Sequence, residues 1–208
     1  MDDIQVIATV RRPDTMLLSM YNQKAKQPNN GFKRLIQHFV EDPRTIDPDM
    51  SFWDCISNWR TAMTTNLTLL QYEAGPAIEQ MLNVLGLPAD ALKISKRENQ
   101  SVPGAVVEVM RLSKAMDMSH AAQQEVYRLA NRVLLSRPPY YLGPDNRRKI
   151  IAAFEAENEE LFAAFGQENP YVVANYTPEP DEKPRQNLVF RDLMMIMSDV
   201  LEEHVGVS

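Results

Sequence analysis

The sequence predicts an α/β fold, a small parallel sheet followed by a predominantly helical C-terminal half. Three observations carry that expectation. Residues Ile4 to Val10 form a short, continuous run rich in β-branched side chains, the pattern of a strand covered on both faces. Asn66 to Tyr72 reads as a second strand, with Leu67, Leu69 and Leu70 as its apolar content. Most of the remainder carries apolar residues at helical spacing, punctuated by proline and glycine.

Taken in order, the first strand ends at Arg11-Arg12-Pro13. Asp14 is placed to cap a helix over about 15–27, with Met16, Leu17, Met20 and Tyr21 on its inner face. Pro28-Asn29-Asn30-Gly31 breaks it. A second amphipathic helix is expected over 32–40 (Phe32, Leu35, Ile36, Phe39), followed by a loop from Pro43 to Pro48. A third, about 51–63, carries Phe52, Ile56 and Trp59. Glu73 and Gly75 end the second strand. Pro76 then opens a helix with Ile78, Met81, Leu82 and Leu85, closed by Gly86 at C′. Residues 88–103 are polar and weakly patterned. Helices follow at about 104–118, 120–136, 145–165 and 188–205, with breaks at Pro138-Pro139 and Gly143-Pro144. The run Thr177-Pro178-Glu179-Pro180-Asp181-Glu182-Lys183-Pro184 reads as a mobile linker. The expected organisation is therefore one domain over 1–176, a linker over 177–187 and a C-terminal helix over 188–208. That helix either packs back on the domain or serves a protein partner through Met194-Met195-Ile196-Met197.

Two strands make a poor sheet by themselves. An apolar strand such as 4–10 expects neighbours on both edges and helices on both faces. The second strand supplies one neighbour; others must come from misread segments or from chain not present here.

Composition narrows the function classes. A chain of 208 residues suits one domain and buries a sizeable core. Its net charge of −6 leaves no basic surplus for a protein devoted to nucleic acid. The acidity concentrates late, at Glu155, Glu157, Glu159 and Glu160 and again at Glu202 and Glu203, and reads as solvated helix faces. A lone cysteine, Cys55, excludes an internal disulfide, fits a reducing compartment and reads as an inert apolar thiol. His38, His120 and His204 share no metal-ligand spacing. The acidic Met1-Asp2-Asp3 start lacks a basic leader, and no apolar run reaches the length of a membrane span. The expected setting is soluble and cytoplasmic.

Chemistry concentrates at the end of the first strand. Ligands of open α/β sheets bind beyond the carboxyl ends of strands, where helix N-termini present free N–H groups. Arg11 stands there, and Ser19 follows eight residues later, one turn into the next helix. A forked guanidinium and a hydroxyl suit a shared phosphate. Arg12 helps or faces solvent, and Arg147-Arg148-Lys149 reads as an ordinary charged face.

Arg11-Arg12-Pro13, with Ser19 and then Tyr21 after an apolar strand, resembles the 3′-phosphate-binding segment of sulfotransferases that use 3′-phosphoadenosine-5′-phosphosulfate. Further stretches are similar to bacterial members that modify polysaccharides: Trp59-Arg60, Leu67 to Glu73, the helix ending Leu85-Gly86-Leu87, Asn99-Gln100-Ser101, Leu134-Leu135-Ser136 and Glu157 to Leu161. The resemblance covers roughly 4–175 and is most specific at Arg11 and Ser19. It implies a partial P-loop-type parallel sheet, with Arg11 and Ser19 holding the 3′-phosphate of the donor co-substrate. It also implies a saccharide or similar hydroxyl acceptor and no metal. The family's phosphosulfate-binding loop and its general base lie upstream of this segment, where only three residues stand before the strand. The chain is thus expected to be the C-terminal part of such an enzyme, from a truncated frame, a split subunit or a remnant. The rival expectation is a non-catalytic helical interaction module.

Overall fold

The computed structural model describes residues 5–28, 30–47, 50–62, 67–88, 92, 102–178 and 186–205. Two strands, β1 (Val6–Val10) and β2 (Leu67–Gln71), pair in parallel with Val6 opposite Leu67 and Val10 opposite Gln71. They form a two-stranded sheet, the only one among the described residues. Between them run α1 (Pro13–Lys26), α2 (Ile36–Glu41) and α3 (Phe52–Ala62). After β2 come α4 (Ala77–Val84), α5 (Gly104–Ala115), α6 (His120–Val133), α7 (Pro144–Ala164) and α8 (Phe190–Val205). The molecule is mainly helical with a small parallel sheet, so the general α/β class holds. Among the described residues no helix is long and apolar enough to cross a membrane.

Several departures from the sequence pattern have local causes. The helix expected from Phe32 begins only at Ile36. The Phe32 N–H donates to the Asn30 side chain at 3.1 Å, and its ring stands edge-on to Tyr21 with centroids 5.5 Å apart. That anchoring holds the chain out of helix. On α3 the apolar face is Phe52, Trp53 and Ile56, while Trp59 is 57% exposed. β1 is less covered than its composition implies: Val10 is buried, whereas Val6, Ile7 and Ala8 are partly exposed. Cys55 is likewise only partly buried. Asn66 and the polar stretch 93–101, including Asn99-Gln100-Ser101, lie outside the described residues, as do 179–185 of the expected linker.

Helix ends follow the local chemistry. The Arg12 carbonyl accepts from Thr15 and Met16 at 3.0 Å each, with Pro13 in the first turn of α1, where its missing N–H costs nothing. Ser119 caps α6 by accepting from the Ala122 N–H. Gly86 takes φ +64 after α4, and the Leu87 N–H closes back on the Leu82 carbonyl at 2.9 Å.

The chain divides into two compact units assembled from separated stretches. The first comprises Met1–Leu17, Phe39–Glu98 and Asp145–Thr177. Its core joins Val10 and Leu69 of the sheet to Ile56 of α3, Leu161 and Phe162 of α7 and the ring of Tyr171. The second comprises Leu18–His38, Asn99–Pro144 and Pro178–Ser208. Here α5 packs on α6 and α6 on α8 around Ala105, Val106, Val109, Ala130 and Leu134, with Leu188, Met195 and Ile196 against them. The C-terminal helix therefore packs through the inner two residues of its methionine-rich run. α5 begins at a glycine because a Cβ on Gly104 would stand 2.8 Å from the Tyr140 Cα. Buried Glu108 of this unit accepts from Tyr140 at 2.8 Å, Tyr21 at 3.2 Å and Arg111 at 2.8 Å.

Candidate functional site

The parallel pairing brings the carboxyl ends of β1 and β2 side by side. Arg11 and Arg12 therefore emerge next to Tyr72 and Glu73, at the N-terminus of α1. This is the position where open α/β sheets expose helix N–H groups and strand-end side chains. Each group there has an identifiable restraint.

Arg12 is bound from several sides. Its Nε donates to Asp14 Oδ1 at 2.6 Å and its Nη2 to Oδ2 at 3.0 Å, a forked pair. Its backbone N–H donates to Glu73 at 3.1 Å, and its guanidinium carbon lies 5.3 Å from the Tyr176 ring centroid. Burial pulls the Arg12 pKa down, but the hydrogen bond and charge of Asp14, with Glu73 behind, outweigh it and raise the pKa. Arg12 thus stays cationic at every working pH. Asp14, 0% exposed, takes a second cation from across the unit, Arg147 of α7 at 2.7 Å. A carboxylate this deep persists only when paired and hydrogen-bonded.

Glu73 is held by neutral donors. Tyr171 donates to Oε2 at 2.7 Å and Thr15 to Oε1 at 3.1 Å, besides the Arg12 N–H. Burial, then the bond to Glu73, raises the Tyr171 pKa, so its hydroxyl remains a donor. Arg148, one residue beyond Arg147, stacks on Tyr176 at 5.4 Å and pairs with exposed Asp145 at 3.0 Å.

Arg11 is placed differently. Its Nε donates to the Thr15 hydroxyl at 3.0 Å, and its guanidinium lies 4.5 Å from the Tyr72 ring centroid. Both partners are neutral, and the residue is partly exposed. Its positive charge is thus presented at the strand end, where its neighbours Arg12 and Arg147 spend theirs on Asp14. Ser19 is exposed and lies one helical turn beyond Thr15 along α1. The structure brings Arg11 to Thr15, the hydroxyl one turn short of Ser19.

Beside these groups lies a cleft of about 210 Å³ lined by Arg12, Gln71, Glu73, Tyr171, Asn175 and Tyr176, among others. Sequence reasoning found Arg11 and left Arg12 undecided; it missed Thr15, Glu73, Arg147, Tyr171 and Tyr176. One signal was available. An acidic residue in the first turn behind two arginines announces a local pair, although nothing local announces Arg147. His38 is exposed on α2, and the Glu157 run divides between solvent and an ion pair of Glu157 with Arg44. Comparison with protein-family models, with curated proteins and with solved structures finds no match for this chain.

Proposed function

We propose that the chain carries the donor-binding segment of a sulfotransferase-like protein, built on a partial P-loop-type sheet. Arg11 is the anchor for the 3′-phosphate of 3′-phosphoadenosine-5′-phosphosulfate and Ser19 the second donor. One observation carries the reading: Arg11 leaves the carboxyl end of a parallel strand with a hydroxyl and an aromatic ring, not a carboxylate, as its partners. A phosphate approaching it meets a cation whose charge is not already neutralised, at the start of α1. Thr15 fixes the guanidinium and leaves the terminal nitrogens for a forked contact with phosphate oxygens.

The donor supplies an activated sulfuryl group. The acceptor hydroxyl gives up its proton to a base as its oxygen bonds to sulfur, while the bond from sulfur to the bridging phosphate oxygen breaks, releasing adenosine 3′,5′-bisphosphate. The hydroxyl belongs to a saccharide or a similar small acceptor. The residues of this chain bind and orient: Arg11 and Ser19 hold the end of the nucleotide remote from the reacting sulfur, and the Asp14 and Glu73 network fixes the strand ends beneath them.

Calorimetric titration with adenosine 3′,5′-bisphosphate tests the reading. Wild type is expected to bind in the micromolar range. Arg11→Ala is expected to weaken binding about a hundredfold, and Ser19→Ala about fivefold, in line with charge-assisted and neutral hydrogen bonds respectively. Wild-type affinity retained by Arg11→Ala would remove the proposal.

A second reading, a subunit completed by another polypeptide, draws on the sheet. Among the described residues β1 and β2 pair only with each other, and β1 keeps Val6, Ile7 and Ala8 partly exposed. Parallel strands of this composition are ordinarily flanked and covered. Bisphosphate binding that appears only on co-expression with a separately encoded strand and phosphate-binding loop favours this second reading.

A further inference from the structure

Glu73 puts a negative charge beside the group that anchors an anion, and its hydrogen bonds show how the two coexist. It sits in the short turn Tyr72–Ala74 that follows β2 and is exposed at the cleft beside Arg12. Thr15 stands between it and Arg11. Arg11 Nε donates to Thr15 Oγ1 at 3.0 Å, and that oxygen lies 3.1 Å from Glu73 Oε1. Two hydrogen bonds in series leave guanidinium and carboxylate no more than about 6 Å apart. A tetrahedral oxyanion with a hydrogen bond on each side is wide enough to bridge that gap. The carboxylate also has capacity left. It accepts from the Arg12 N–H at 3.1 Å, from Thr15, and from Tyr171 at 2.7 Å. Those are three donors on a group with about four acceptor positions. A ligand oxygen that brings a proton completes the set, whereas one without a proton sets negative charge against negative charge.

We propose that Glu73 selects a protonated oxyanion at the Arg11 anchor, admitting phosphate and rejecting sulfate. The inference rests on the donor-site reading above and adds to it which end of the nucleotide enters. Arg11 attracts both kinds of anion alike; the carboxylate supplies the difference between them. A phosphate monoester loses its last proton near pH 6, at about that value, so near neutrality it still takes one up readily. A sulfate group has none to offer across that range. The 3′-phosphate of the donor therefore shares a proton with Glu73, and the sulfuryl end of the same molecule does not. Glu73 is thus a specificity-determining residue that orients the nucleotide and keeps free sulfate out of the site.

Inorganic phosphate and inorganic sulfate at about pH 8 make the sharpest comparison. They are dianions of one shape that differ by a single proton. Amide chemical shifts of the isotopically labelled full chain follow such weak ligands directly. Wild type is expected to bind phosphate at least about tenfold more tightly than sulfate, the scale of one charge-assisted hydrogen bond. Glu73→Gln, whose amide donates as well as accepts, is expected to bring that ratio to about one. A role confined to holding the strand ends together would weaken both anions alike and leave the ratio unchanged, which overturns the proposal. The second arm uses wild type alone. Adenosine 3′-monophosphate is expected to bind about tenfold more weakly at pH 8 than at pH 6, as its phosphate loses the shared proton, while sulfate holds level. Both titrations meet the same groups around Glu73, namely Arg11, Arg12, Asp14, Thr15, Arg147 and Tyr171, so the contrast isolates the proton on the ligand. A monophosphate affinity that is level or rises with pH overturns the proposal. Phosphate binding that requires Arg11 yet shows no preference over sulfate overturns it too and leaves the donor-site reading standing. Absence of phosphate binding altogether removes both.

Discussion

At the residue scale, Asp14 organises the candidate site although it touches no ligand in any reading of it. A fully buried carboxylate with only its own backbone for company would be costly, and here two guanidiniums meet it, from the strand end and from α7. Replacing it with asparagine keeps the shape but leaves Arg12 and Arg147 facing each other across a neutral amide. Asp14→Asn is therefore expected to lower stability by about 3 kcal/mol, the scale for breaking one partner out of a buried ion pair, measured by urea unfolding. Adding Arg147→Met removes the second stranded cation. The double variant is thus expected to be less damaged than the sum of the two single ones. Strict additivity would mean that the three groups do not act as a unit. The first half of this arrangement was open to sequence reading, since Arg12 and Asp14 are two residues apart, although Asp14 reads there only as a helix cap. The second half was not, because Arg147 lies 133 residues away and a tertiary ion pair leaves no local pattern.

At the element scale, helices were the most legible part of the sequence. Period, prolines and C-terminal glycines fix α4 and the helices of the second half to within a few residues, since these signals act within one turn. The end of α1 shows what local signals miss. Lys114 of α5, 2% exposed, donates from Nζ to the carbonyls of Lys24 at 2.8 Å and Ala25 at 2.6 Å, and to Asn30 Oδ1 at 2.9 Å. It caps, from a distant element, carbonyls that α1 leaves unpaired. Burial lowers its pKa from the ordinary 10.5 to about 8. The folded pKa lies below the unfolded one, so between about pH 8 and 10.5 the unfolded chain holds more protons. The Lys114 contribution to stability therefore rises across that window, is complete above it, and is lost as pH falls through 8. Urea midpoints measured from pH 7.5 to 10.5 are expected to climb for wild type relative to Lys114→Met. A constant difference between the two would show that the ammonium keeps its ordinary affinity for protons. On the other hand, the number of strands beside β1 was not legible: an apolar run reveals that a strand wants cover, never which segment provides it.

At the scale of the whole molecule, sequence order and spatial grouping part company. Composition marks a boundary near residue 177, where prolines and charges accumulate. Contacts instead join the stretch after that point to 18–38 and 99–144. The reason is physical: a linker's polarity says that the segment itself is not core, but not where the helix beyond it buries its apolar face. Arg11 was legible because a strand end and a helix start are adjacent in sequence, whereas Tyr171 and Tyr176 reach the same place from the far end of the first unit. The C-terminal helix gives this a measurable consequence. Leu188, Met195 and Ile196 cover Ala130 and Leu134, and ion pairs from Arg132 and Arg137 tie the helix down. Ending the chain at Tyr176 therefore uncovers core. Three partly buried apolar side chains at roughly 1 kcal/mol each give an expected loss of about 3 kcal/mol, with new binding of a hydrophobic dye and helical ellipticity falling by more than the deleted residues carry. If the shortened chain unfolds at the wild-type urea midpoint and with the wild-type slope, α8 is an appendage and the second unit closes its core without it.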